Sequence, residues 1–148
     1  MYPNLKGSET LSILATIDPA SQAAGTVTTA WVPVANFHAF LALVETGVLG
    51  AAATLDAKIQ QARDATGTGA KDVSGKAIRQ IVKASGDNKQ VLINLRPENL
   101  DSNNGFAFLR LSLTVEVAAS IVAGKLIGVH PLYATAEVFN QAAVVQVI

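Results

Sequence analysis

The stretch ATGTGAKDVSGKAIRQ, residues 65–80, sets three glycines and two lysines ahead of a segment that can be read as helix, the outline of a phosphate-binding loop. Such a loop requires G-x-x-x-x-G-K-[ST], because its backbone amides wrap the phosphates and its hydroxyl reaches the magnesium. Here five residues separate Gly69 from Gly75 instead of four, and Lys76 is followed by Ala77, which has no hydroxyl. No nucleotide cofactor is expected. His38 and His130 are the only histidines; one lies between Phe37 and Phe40 in an apolar segment and the other precedes Pro131. No carboxylate at ligand spacing flanks either, so no metal site is expected. Asp64, Asp72, Glu98 and Asp101 fall in expected loops, and their spacing does not define the separation of roughly 5–10 Å that a catalytic pair requires. None of the eight serines sits in a G-x-S-x-G elbow. The absence of cysteine removes thiol chemistry and disulfides together. The expectation is a protein with no catalytic residues, that is, not an enzyme.

Charge points the same way. Eleven basic and eleven acidic residues cancel without any run of one sign, which argues against nucleic acid as a partner. No apolar run approaches the ~20 residues of a membrane-spanning helix, and no membrane partner is expected. The N-terminal MYPNLKGSETLS lacks the basic-then-apolar pattern of a secretory signal, so intracellular synthesis is the expectation. Only 15% of the 148 residues are charged, against ~25% in an ordinary soluble domain. A surface that poor in charge suggests cover by partners.

The elements that would position any site read mostly as short strands. In GFAFLRLSLTVEVA, Leu109, Leu111, Leu113, Val115 and Val117 share one parity, and Arg110, Ser112, Thr114 and Glu116 the other. That alternation predicts a half-buried strand. TLSILATI predicts a second strand with Leu11, Ile13, Ala15 and Ile17 facing in, ended by Asp18-Pro19. KQVLINLRP predicts a third, with Val91, Ile93 and Leu95 inward and a stop at Pro97. GTVTTAWVPVANF is rich in β-branched residues, and Pro33 places it at an edge or bulge. HAFLALVETGVL and ASIVAGKLIGVH are apolar on both parities, as strands covered on both faces are, with Gly124 and Gly128 allowing bends or close packing. The connections GDNK and DSNNG have turn chemistry. Short strands and turns in this succession predict an antiparallel sandwich. Residues 52–64 and 75–85 stay open between helix and strand, since Leu55, Ile59 and Ala62 have helical spacing while Leu55, Ala57 and Ile59 also alternate with polar residues.

The succession FHAFLALVETGVLGAAATLDAKIQQARDATGTGAKDVSGKAIRQIVKASGDNKQVLINL, followed by the GFAFLRLSLTVEVA strand, resembles jelly-roll capsid decoration, or cement, proteins of tailed bacteriophages. The resemblance spans about residues 10–130 and lies in the order of segments. It implies an all-β, jelly-roll-like antiparallel β-sandwich over residues 10–134, with an N-terminal arm (1–9) and a C-terminal extension (135–148). It also implies strand, loop, strand for TLDAKIQQARDATGTGAKDVSGKAI, making residues 65–76 a glycine-rich hairpin tip. Function by resemblance is structural: a protein of the virion, made in the host cytoplasm, that binds the major capsid protein on the head surface as a homo-oligomer, a dimer in preference to a trimer. A head fibre or tail component of the same fold is the nearest alternative.

A carbohydrate-binding module is the rival from another class, because jelly rolls serve that purpose too. It would stack sugars on exposed aromatics, and Phe106, Phe108 and Trp31 are the candidates, although the core is the favoured place for Trp31. The chain ends are the candidate subunit contacts. NQAAVVQVI ends the sequence with Val144, Val145, Val147 and Ile148 and carries only the terminal carboxylate as charge. Left free, so strand-prone a segment is an aggregation hazard, so it should be paired or buried. At the other end, Tyr2 and Leu5 are the candidate anchors of the arm.

Overall fold

The computed structural model describes residues 4–148; Tyr2 lies outside the described residues. A single helical turn, α1 (Gly7–Thr10), leads into β1 (Leu11–Gln22), followed by β2 (Gly25–Thr28), β3 (Val32–Pro33), β4 (Phe37–Thr46) and β5 (Thr54–Ala62). The return half holds β6 (Lys71–Ala77), β7 (Ile81–Val82), the turn α2 (Lys83–Gly86), β8 (Gln90–Leu95), β9 (Phe108–Glu116) and β10 (Ser120–Pro131). The two halves pair as one antiparallel ribbon. Gln61 faces Lys71, Phe40 faces Leu95, Gly25 faces Val115 and Leu11 faces Val129. Two further pairings, β10 with β4 and β5 with β9, roll this ribbon into two sheets of order β1-β10-β4-β8 and β2-β9-β5-β6, with β3 on β9 and β7 on β5. This is the nested connectivity of an eight-stranded jelly roll, so the fold is an all-β antiparallel sandwich as expected.

Between the sheets lie Phe40, Val44, Val122 and Leu126 from one side and Leu55, Ile59, Leu109, Leu111, Leu113 and Val115 from the other. Gly124 and Gly128 serve close packing: a Cβ on the first would stand 2.7 Å from Leu111 Cδ2, and on the second 2.7 Å from the Phe37 ring. Phe37 in turn meets Phe40 and Phe139 edge-on, at 5.9 and 5.2 Å between centroids.

Several strand expectations need correction. A bulge between Ile13 and Ala15 reverses the parity of β1, so Ser12 is buried while Leu11 is 44% exposed. A second bulge, between Ile17 and Ala20, takes up Asp18-Pro19, and the strand runs on to Gln22. The segment around Pro33 is split into β2 and β3, both on the edge formed along β9. Residues 54–62 and 71–77 are strands, and of the two segments left open by sequence only the end of the second enters a helical turn, Lys83–Gly86. The glycine-rich tip is shorter than expected, 63–70, because Lys71 already pairs with Gln61. Gly75, at φ +74, belongs to the irregular stretch of β6 facing Lys58–Gln60. β4 and β10 are buried on one face and mostly half-buried on the other, where Leu41, Leu43 and Ile127 keep part of their surface in solvent.

The β9–β10 connection carries backbone strain. The Ala118 N–H donates to Glu116 O at 3.0 Å across Val117, whose φ is 75°. That is a γ-turn with a β-branched residue at the one position where positive φ is most costly. Val117 is 70% exposed, so its side chain adds no packing in return. Val117→Gly is expected to stabilise the protein by about 1 kcal/mol in urea unfolding, while Gly128→Val destabilises it by at least about 2 kcal/mol through overpacking on Phe37. A destabilising Val117→Gly would contradict the backbone strain described, and a tolerated Gly128→Val the packing on Phe37.

Candidate interaction surfaces

The tip is tied to itself and its base. Asp64 Oδ1 accepts the N–H groups of Thr66 and Thr68 at 2.9 and 3.1 Å and the Thr66 hydroxyl at 2.7 Å. Hydrogen bonding from the Thr68 hydroxyl, then from the Thr66 hydroxyl and the Thr68 N–H, holds the Asp64 carboxyl well below the usual range. Below the tip, the Arg63 and Lys71 cations stand 4.9 and 4.3 Å from the Phe106 ring. Lys71 also pairs with Asp101 at 2.6 Å, whose carboxyl it lowers together with Asn104. Arg110 lies 4.4 Å from the Trp31 ring and donates to Gln60 Oε1 at 2.9 Å.

The same saturation covers the outer face of the second sheet. Asp72 binds Lys58 at 3.0 Å and Gln60 at 3.1 Å, and these two hydrogen bonds, Gln60 first, lower its pKa. Gln80 donates to Asp56 at 2.8 Å, and Thr26 bonds Thr114 at 2.9 Å. Glu98 stands 4.0 Å from Arg96, both largely exposed. Of the four carboxylates singled out by sequence, Asp64, Asp72 and Asp101 hold local structure; the buried Gln61 amide bridges Asp72 and Asp101, donating to Asp72 O at 3.4 Å and accepting the Asp101 N–H at 2.7 Å. Phe106 is 5% exposed, Phe108 is half-buried, and Trp31 is half-buried under Arg110 at the rim of the core, where the sequence favoured the interior. Tyr133, at 79% exposure, is the aromatic that sequence reasoning did not single out. His38 and His130 border one cavity of about 210 Å³ with Leu5, Glu9 and Thr135, and among the described residues no group of three or more His, Asp or Glu could hold a metal.

The outer face of the first sheet is of another kind. The pairings align Leu11, Val129 and Ala39 in one row, Ile13, Ile127, Leu41 and Asn94 in the next, and Thr16, Lys125, Leu43 and Leu92 in a third. Its charges include Lys125 and Glu45, 4.0 Å apart, and Asp18, which accepts the Thr16 hydroxyl at 3.2 Å. Leu11 and Leu92 are 44% and 59% exposed. Beyond the Lys125–Glu45 pair, Ile121, Val48 and Val117 are exposed as well. Exposed apolar residues aligned in this way mark a candidate contact site. The sequence signal was present in the double apolar parity of β4 and β10, which fits a covered strand equally well.

The chain ends meet at the outer edge of β1. Ser8 Oγ donates to Glu137 Oε1 at 2.8 Å. Asn140 Oδ1 accepts the Ile13 N–H at 2.8 Å and the Gln141 N–H donates to Ile13 O at 2.9 Å, closing the edge of β1 at that point. Beyond Gln141 the tail leaves the sandwich. Val144 is half-buried, but Val147 is 47% exposed, Val145 92%, and Ile148 fully, so within one chain the tail is neither paired nor buried. Leu5, on the other arm, is 45% exposed beside the histidine cavity.

No family model matches the chain, and no curated protein matches it. Solved structures similar to it include the CBM22-2 xylan-binding domain from Paenibacillus barcinonensis Xyn10C, at 11% identity and TM-score 0.41 over 86% of this chain and 94% of that one. The empty capsid of Triatoma virus is another, at 7% identity and TM-score 0.44 over the same shares, 86% and 94%. With TM-scores below 0.5 these likenesses decide nothing between binding module and capsid protein, and the sandwich stands on its own strand pairing.

The tip is where a pH measurement is informative. Because the folded pKa of Asp64 is depressed below 3.8, its contribution is complete above the unfolded value and is lost as pH falls through the folded one. NMR shifts of the Thr66 and Thr68 amides are expected to hold through pH 4 and move only in stronger acid, and Asp64→Asn should abolish that titration. A midpoint near 3.8 would contradict the hydrogen bonding described.

Proposed function

We propose that this chain is a capsid decoration, or cement, protein of a tailed-phage head, seated on the outer surface of the virion as a homo-oligomer and bound to the major capsid protein. The observation that carries the proposal is the apolar outer face of the first sheet, with Leu41, Leu43, Ile127 and Leu92 at its centre, on a chain whose other sheet face is saturated with polar contacts. The resemblance in segment order and the jelly-roll connectivity support the same reading. The protein acts by contact and not by chemistry. Each copy covers apolar surface and bridges neighbouring subunits, and many copies on a repeating lattice release only when several contacts open at once. The carbohydrate-binding reading has less support, since Phe106 is buried and Arg110 stands over Trp31.

Purified protein is expected to co-sediment with particles that lack it and to raise the temperature at which they disrupt. With apolar contacts dominant and no net charge, affinity should change less than about threefold between 0.1 and 0.5 M salt. Leu41→Lys, on the outer face, should weaken binding at least about tenfold with the fold intact by circular dichroism. Binding to glycans with no affinity for particles would overturn the proposal.

A further inference from the structure

We infer that the C-terminal segment of one copy, residues 143–148, adds as a strand to the free edge of β8 in a second copy. The inference rests on the homo-oligomer in the proposed function and names the surface that makes it. β8 ends the first sheet, with β4 as its single strand partner. Its outer edge therefore offers unpaired backbone groups to an extended chain. Beside that edge, between β6 and β8, runs a groove formed by two adjoining cavities of about 440 and 360 Å³ that share Lys76 and Asn94. Lys76, Arg79 and Arg96 line it, and no carboxylate does. Lys76 and Arg79 have no ion pair among the described residues, and Arg96 reaches Glu98 only at 4.0 Å.

The tail fits this edge in length and character. Six residues, 143–148, match the six of β8. Val144 and Ile148 share one parity, Val145 and Val147 the other, so a docked tail sends one set toward the core beside Ile93 and lets the other extend the apolar outer face at Leu92. The same chain cannot fill its own edge. Gln141 is held on β1, at the far side of the sheet, by Ile13 and Thr16. From the outer edge of β1 to the outer edge of β8 is five strand spacings, about 24 Å, as much as the roughly 23 Å that residues 142–148 span when extended, which leaves none of them to pair. The donor is thus a second copy, and reciprocal exchange of tails closes a two-fold dimer.

The test uses full-length protein, a chain ending at Gln141, and a labelled peptide of residues 140–148. Light scattering should show the full-length dimer and a truncated monomer. The peptide should bind the truncated protein, and the same peptide carrying Val145→Asp and Val147→Asp should not. A truncated protein that keeps its oligomeric state, or a peptide that does not bind it, overturns the inference. The capsid reading is scored apart: full-length protein that exchanges tails as described but ignores particles upholds the strand addition and removes the cement function.

Discussion

Leu11 lies opposite Val129, Phe40 opposite Leu95 and Gln61 opposite Lys71, so one antiparallel ribbon bent at residues 63–70 supplies the pairing on which everything else depends. Because the partners are so far apart in sequence, no single sheet can form from one half of the chain. Rolling the ribbon through β10 with β4 and β5 with β9 puts its alternate residues between the sheets and leaves the others outside. The Asp64 carboxylate that satisfies Thr66 and Thr68 at the bend has a structural purpose in this light: it orders the turn where the two halves first meet.

The rolled ribbon has two outer faces and two open sides, and the sequence treats them differently. The second sheet's face is closed by side-chain pairs such as Lys58 with Asp72 and Arg110 with Gln60. The first sheet's face is left apolar. At one side, Asn140 and Gln141 cap the edge of β1, while at the other β8 stays open beside three cations. A monomer of this kind keeps an apolar face and a free edge in water, both costly unless another surface covers them. This asymmetry is what directs the functional reading toward contact and assembly.

Much of this architecture was legible in residue order. β9 shows itself in the alternation of Leu109 to Val115 with Arg110 to Thr114 because its outer face ended up polar. β1 misleads because its parity changes at a bulge that no residue type announces, and Asp18-Pro19 looked like a stop because a bulge can absorb a proline that a regular ladder cannot. Residues 54–62 were balanced between helix and strand until pairing with β9 decided them, a tertiary effect invisible to local propensity. The tail was recognisable from composition alone. The apolar outer face was not, since Leu41 and Leu43 have the same character whether their cover comes from this chain or from another.

A cryo-EM map of particles saturated with the protein tests the central claim most directly, because it shows which face meets the lattice. The account predicts sandwich density with the outer face of the first sheet, around Leu41 and Ile127, seated on the capsid subunits, and the polar face of Lys58 and Asp72 turned to solvent. Density with those two faces exchanged, or particles that remain bare at saturating protein, would contradict it.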